Sequence, residues 1–214
     1  MENAQEWLDK NYPKEIRNEI KNLYLKEKKI EGDLNLSDFV NLNELDCSDN
    51  FLTSLNINNC KHLKRLDVSF NHLTNLEFSG SYKLEVIKCN DNFLTNFDYS
   101  LLSANKLTYL NISDNNLPYQ DLSPFSQSLK CLDRLENLNI SNTDINIGIE
   151  YLPNSINKIS YLTQEKSKEI KLWIDSGLTV KDHTLAEYLK NDKKIEPLEA
   201  KSRLDELTKE YNLA

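Results

Sequence analysis

The 214-residue chain reads as an α/β solenoid, a right-handed superhelix of short turns whose strands stack into one parallel, concave sheet. Three observations predict it. Residues 63–84, LKRLDVSFNHLTNLEFSGSYKL, carry the pattern L-x-x-L-x-V-x-x-N-x-L-x-x-L-x-F, and residues 42–63 and 84–107 repeat it with apolar residues and asparagine in the same slots. The marker asparagines Asn50, Asn71, Asn92 and Asn115 stand 21, 21 and 23 residues apart, inside the roughly 20–29 residues of a leucine-rich repeat. Within each turn apolar and polar residues alternate, so Leu45 and Cys47 point inward while Glu44, Asp46 and Ser48 point outward.

Residues 1–19 are expected to form an N-terminal helical cap. Asn3 followed by Glu6 has the form of an N-cap with a reciprocal acid, Trp7 and Leu8 supply an apolar face, and Pro13 starts a second helix carrying Ile16 and Ile20. The solenoid is assigned to residues 20–162, about six to seven turns. Its first turn is degenerate: Leu23 and Leu25 fill strand slots, but Lys28 stands where the marker asparagine belongs, and terminal repeats depart from consensus in this way. An asparagine in that slot can donate and accept at once, which satisfies backbone groups buried in the bend. The second half of each turn, as in Leu52-Thr-Ser-Leu55-Asn-Ile57, again alternates, so extended structure is expected on the convex side as well. The interval from Asn115 to Thr143 lengthens to 28 residues and places Phe125, Leu129, Leu132 and Leu135 at helical spacing, which predicts one convex helix. Ile159 follows Leu138 by 21 residues and closes the array. Residues 163–214 then read as a C-terminal helical segment with Trp173, Tyr188 and a final stripe of Ala200, Leu204, Leu207 and Tyr211.

The strand register names the candidate binding residues on the concave face: Tyr24 and Lys26; Glu44 and Asp46; Arg65 and Asp67; Val86 and Lys88; Tyr109 and Asn111; Asn137 and Asn139. Tyr24, Arg65, Lys88 and Tyr109 stand out, because aromatic and arginine side chains dominate interface hot spots. A further outward column, Ser48, Ser69, Asn90, Ser113 and Ser141, is small and polar, and is expected either to bind a partner or to bond neighbouring strands.

A formal charge of −8 disfavours nucleic acid and anionic membrane as partners, since both need Lys and Arg to displace counterions. There is no long apolar run for membrane insertion, and MENAQEWLDK lacks the basic start and apolar core of a signal peptide. The expected setting is the cytoplasm or nucleus. Of the four cysteines, Cys47 and Cys89 share a core slot with Val68 and Ile112, Cys60 falls near the convex turn and Cys131 in the insert. No spacing matches a metal or redox motif, and His62, His72 and His183 are isolated surface histidines, so no metal is expected. With four glycines and no Gly-rich phosphate loop the chain is expected to take no nucleotide or other cofactor.

Certain stretches resemble members of a large expanded family of fungal leucine-rich-repeat proteins. They are NAQEWLDKNYPKE from Asn3, EGDLNLSDF from Glu31, the L-x-C-S-x-N-x-L-T-S-L repeat, and ISNTDI from Ile140 leading to Tyr151-Leu-Pro153. The likeness covers residues 3–162, and the tail segments around Trp173 and Tyr188 are also similar. It implies a protein-interaction role, sometimes beside signalling domains. The function expected is a non-catalytic module holding a protein or peptide on the concave face, the chain itself being a monomer. One alternative is a self-associating unit paired through the Leu204 and Leu207 helix. Another is a hydrolase using Asp46 and Asp67, whose carboxylates would lie one strand apart at about 5 Å.

Overall fold

In the computed structural model the described residues are 1–77, 83–97, 106–117, 127–128, 132–143, 155–156 and 158–162. A seven-stranded parallel sheet dominates them. Its strands are β2 (Asn22–Tyr24), β4 (Glu44–Asp46), β6 (Arg65–Asp67), β7 (Val86–Lys88), β8 (Tyr109–Asn111), β9 (Asn137–Ser141) and β10 (Lys158–Leu162), neighbours in that order. The central residues Leu23, Leu45, Leu66, Ile87, Leu110, Leu138 and Ile159 are register partners across it. A second sheet of three parallel strands runs β1 (Glu2–Asn3), β3 (Ile30–Asn35), β5 (Phe51–Asn56). It realises the extended second half in the turns that hold β3 and β5; in the next turn only an isolated bridge between Asn56 and Glu77 remains, and residues 94–97 form no strand. Gly32, at φ +85°, absorbs the register shift between β3 and β5, a backbone state that side chains with a Cβ resist.

One apolar cluster fills the turns. Leu45, Leu66, Ile87 and Leu110 pack from the large sheet, with Cys47, Val68, Cys89 and Ile112 beside them and Leu52, Leu73, Leu94 and Leu117 behind. Burying each leucine contributes about 2 kcal/mol. Cys60, placed near the convex turn by its sequence position, is fully buried in this cluster.

The bends are held by the marker asparagines, which are buried. Asn71 Nδ2 lies 3.0, 3.1 and 3.2 Å from the carbonyls of Cys47, Val68 and Ser69, and its Oδ1 accepts from Leu52 N–H at 2.9 Å. Asn50, Asn92 and Asn115 repeat this set, each reaching one carbonyl and one amide of the preceding turn. At the loosened position Thr143 Oγ1 donates to the Ile140 carbonyl at 2.6 Å; one hydroxyl proton cannot serve the carbonyls that an amide group serves. Just before each marker the chain turns through a positive φ, at Asp49 (56°), Phe70 (54°), Asp91 (53°), Asp114 (54°) and Asn142 (53°). Asp and Asn tolerate this conformation, whereas for phenylalanine it costs on the order of 1–2 kcal/mol.

Helix α1 (Ala4–Asn11) follows β1, with Asn3 Oδ1 accepting from the Gln5 and Glu6 amides at 3.0 and 3.1 Å. Ala4 and Leu8 are buried in the core cluster and Trp7 packs against it. The segment after Pro13 differs from expectation. Helix α2 (Lys14–Arg17) has four residues, Ile16 is 43% exposed, and the buried side chain is Arg17 at 1%. Its Nε donates to the Tyr12 carbonyl at 2.8 Å, Nη1 to Asp38 at 3.2 Å and Nη2 to Asp9, while the guanidinium lies 5.7 Å from the Phe39 ring centre. Three acceptors and a ring offset the cost of taking this charge out of water, so Ile16 gives way to the cation while Ile20 still packs against the core. Of the predicted convex helix, Phe125 and Leu129 lie outside the described residues and Gln127 and Ser128 are helical, but Leu132 and Leu135 are not: they are buried core residues flanking a turn that leads into β9, closed by Leu135 N–H donating to the Leu132 carbonyl at 3.1 Å. Residues 163–214, with the Leu204 and Leu207 stripe, lie outside them as well.

Two measurements check these interactions. Asn71→Ala leaves buried carbonyls and the Leu52 amide without their partner and should lower stability by about 2–3 kcal/mol in urea unfolding, against about 1 kcal/mol for Thr143→Ala, which loses one bond. Arg17→Met should cost about 1–2 kcal/mol at neutral pH, because it strands the Tyr12 carbonyl while Asp9 and Asp38, each half exposed, turn to water. The Arg17 hydrogen bond, then that from Gln5, holds the Asp9 carboxyl below its ordinary range. Its contribution is therefore complete above about pH 4 and is lost as pH falls through the lower folded value, so the gap between Arg17→Met and the natural chain should narrow in acid.

Candidate functional site

The outward face of the seven-stranded sheet carries two rows fixed by the parallel register. One runs Asn22, Glu44, Arg65, Val86, Tyr109 and Asn137; the other runs Tyr24, Asp46, Asp67, Lys88, Asn111 and Asn139, and β10 continues the backbone register with Lys158 paired to Asn137 and Ser160 to Asn139. Lys88 thus stands one row over from Glu44, Arg65 and Tyr109. Sequence reasoning passed over Asn22, Lys158 and Ser160, which the period alone could have added. Lys26 lies past the end of β2, where its Nζ sits 3.3 Å from Asp49 and 3.7 Å from Glu27.

Cross-strand contacts organise the face. Tyr24 Oη donates to Glu44 Oε2 at 2.9 Å, and Arg65 Nε approaches the other oxygen, Glu44 Oε1, at 3.7 Å from the opposite neighbouring strand. Lys88 Nζ lies 3.1 Å from Asp67. Tyr24 is 57% exposed and Arg65 is exposed; Val86, Tyr109, Asn111, Asn137 and Asn139 are half-buried. The hydrogen bond to Glu44, followed by partial desolvation and the charge of that carboxylate, raises the Tyr24 phenol above its ordinary value.

The small outward column proves to be structural. Ser48, Ser69, Asn90 and Ser113 are buried. Asp46 Oδ1 accepts from both the amide (3.0 Å) and the hydroxyl (2.6 Å) of Ser48, and Asp67 does the same for Ser69. Asn111 accepts from Ser113 N–H at 3.1 Å, and Asn139 accepts from the amide and hydroxyl of Ser141 at 3.1 and 2.7 Å. Each is a short-range side-chain turn that steers the chain out of its strand. Asp46 and Asp67 are register partners as expected, but both carboxylates are engaged by serines and Asp67 also by Lys88.

Beneath the face, burial pushes the Cys60 thiol up to about 12 and raises Cys47 and Cys89, where the carboxylate of Asp67 adds to the effect. Thiols so protonated behave as small apolar core residues. Cys131 and His183 lie outside the described residues. Among the described residues no group of three or more His, Cys, Asp or Glu is placed to hold a metal, and no helix is long and apolar enough to cross a membrane.

Beside the sheet, at the bends that follow the strands, the structure exposes aromatic side chains that sequence reasoning did not single out. His72 lies between Phe51 and Phe93, its ring 5.5 Å from the first at 64° and 5.4 Å from the second at 27°. Phe70 and Phe93 are 51% and 56% exposed. The signal was present in the sequence: Phe51, His72 and Phe93 each follow a marker asparagine, and Phe70 precedes one.

The Tyr24 contact is open to a direct check. Ultraviolet titration of the natural chain minus Tyr24→Phe isolates this phenol. It should ionise later than a free tyrosine, and Glu44→Gln should bring it back down because ionisation then breaks no bond to a carboxylate.

No known protein-family profile matches the chain, and no characterised protein matches it in sequence. Solved structures do match in shape. A leucine-rich-repeat protein of Leptospira interrogans superposes with a TM-score of 0.52 at 21% identity, covering 67% of this chain and 36% of that one. The functional domain of InlJ from Listeria monocytogenes, which includes a cysteine ladder, matches at 19% identity over 69% of this chain and 45% of that one, with a TM-score of 0.36, too loose to argue from. The chain thus spans about a third to a half of the length of these structures. At such identity the Leptospira likeness is one of fold, and with the parallel strand order it shows that the chain is a leucine-rich-repeat solenoid.

Proposed function

We propose that the chain is a non-catalytic protein-binding module, working inside the cell, whose outward sheet face holds a protein or peptide partner. The observation that carries this reading is the register that sets Tyr24, Arg65, Lys88 and Tyr109 on one continuous face. Aromatic rings and a guanidinium supply large contact area with few rotors or a forked donor set. Glu44 braces Tyr24 and Arg65 from both sides, so less side-chain freedom is lost when a partner arrives. The α1 helix, with Leu8 buried and Trp7 packed on the core, serves in this reading as the cover over the first turn that a solenoid end requires.

Size constrains the partner. Seven strands at about 4.8 Å spacing span roughly 29 Å, and their lengths of three to five residues correspond to about 10–17 Å. That area falls well short of the roughly 800 Å² per side of a stable protein interface. A globular partner therefore has to reach beyond the strands onto the flanking bends, whereas an extended peptide can be held by the face itself. The hydrolase reading is the weaker one, because the carboxylates it needs are tied to Ser48, Ser69 and Lys88.

The test is an affinity capture from the chain's native cell extract with the natural protein and with a variant carrying Tyr24→Ala, Arg65→Glu, Lys88→Glu and Tyr109→Ala. Specific partners should be lost from the variant while its circular dichroism is unchanged. An identical captured set from a folded variant would remove the sheet face from consideration.

A further inference from the structure

The bends beside the sheet form an open groove of about 520 Å³ whose walls alternate carboxylates and rings. At the positive-φ position preceding each marker asparagine, successive turns carry Asp49, Phe70, Asp91 and Asp114. Phenylalanine is the outlier there. It takes up a backbone state that the turns on either side fill with aspartate, and about half of it stays in water, so burial accounts for only part of it. Strain of this kind with so partial a packing return points to use. Its placement says what use: one strand to either side stands an aspartate, at about 5 Å by strand spacing. Phe51, His72 and Phe93 extend the aromatic wall two residues on in each turn, and no Lys or Arg is among the described residues lining the groove.

We infer that this groove is a second interaction surface that binds a basic peptide segment through arginine side chains, the guanidinium lying on Phe70 between Asp49 and Asp91. A planar cation stacks on an aromatic face while its edge donates to carboxylates on either side. The carboxylates have capacity for this. Asp91 accepts from Asn90 Nδ2 at 2.7 Å and Asp114 from Asn142 Nδ2 at 2.6 Å, and an ionised carboxylate can accept about four bonds. Asp49 holds Lys26 at 3.3 Å in an exposed pair of the weak kind that an incoming guanidinium can share or displace. The inference does not depend on the sheet face being a binding site.

The probe is a fluorescently labelled octapeptide alternating glycine and arginine, compared with the lysine peptide of the same charge, titrated against the full chain by anisotropy. The arginine peptide should bind about three- to fivefold more tightly than the lysine peptide, the scale of one exposed cation–π contact. Phe70→Asp, which installs the residue of the sister turns and relieves the backbone, should remove that preference even though it adds a negative charge; Phe70→Asn, which adds none, should do the same. The pair Tyr24→Ala and Tyr109→Ala on the sheet face should leave it intact. Equal affinity for the two peptides, tighter arginine-peptide binding by Phe70→Asp, or no binding to the natural chain would each overturn the proposal.

Discussion

The fold depends on one problem being solved at every bend: backbone carbonyls and amides turned inward, away from water, have to find partners. Asn71 meets three carbonyls and one amide with a single side chain, and Asn50, Asn92 and Asn115 do likewise. A buried polar group left unpaired costs about as much as burying a leucine returns. The leucine core therefore gains little unless the asparagines are in place, and the sheet exists because the bends between its strands are paired.

The legible parts of the sequence were those set by repetition. Leucine and asparagine recur because every turn faces the same requirement, so the inward residues and the parallel register could be read from spacing, while the extended segment after the marker holds as a strand at β5 and gives way to bends at residues 73–76 and 94–97. Arg17 could not be read in that way. Its burial rests on Asp9, Asp38 and Phe39, residues remote from it in the repeat pattern, and the neighbouring Ile16 gave the opposite impression. Tertiary partners outweighed local periodicity there.

The outward residues were legible in position and less so in role. Alternation placed Asp46, Asp67 and Asn111 outside, but it does not say that each of them accepts from the serine two residues on. A polar side chain on a strand can serve solvent, a partner or its own backbone, and only the geometry separates these. Phe70 shows the reverse case. It lies outside the strand pattern and so escaped notice, yet its neighbours in the adjacent turns, Asp49 and Asp91, give it more context than any single residue on the sheet.

The direction of the asparagine bonds bears on how such a chain can change over evolutionary time. Apart from its own turn, each asparagine side chain touches the turn before it: Asn92 reaches Val68 and Leu73, and Asn115 reaches Cys89 and Leu94. A whole unit can therefore be duplicated or excised in the genome and the new junction will look like every other junction. The array can grow or shrink in steps of one unit without redesign of what remains.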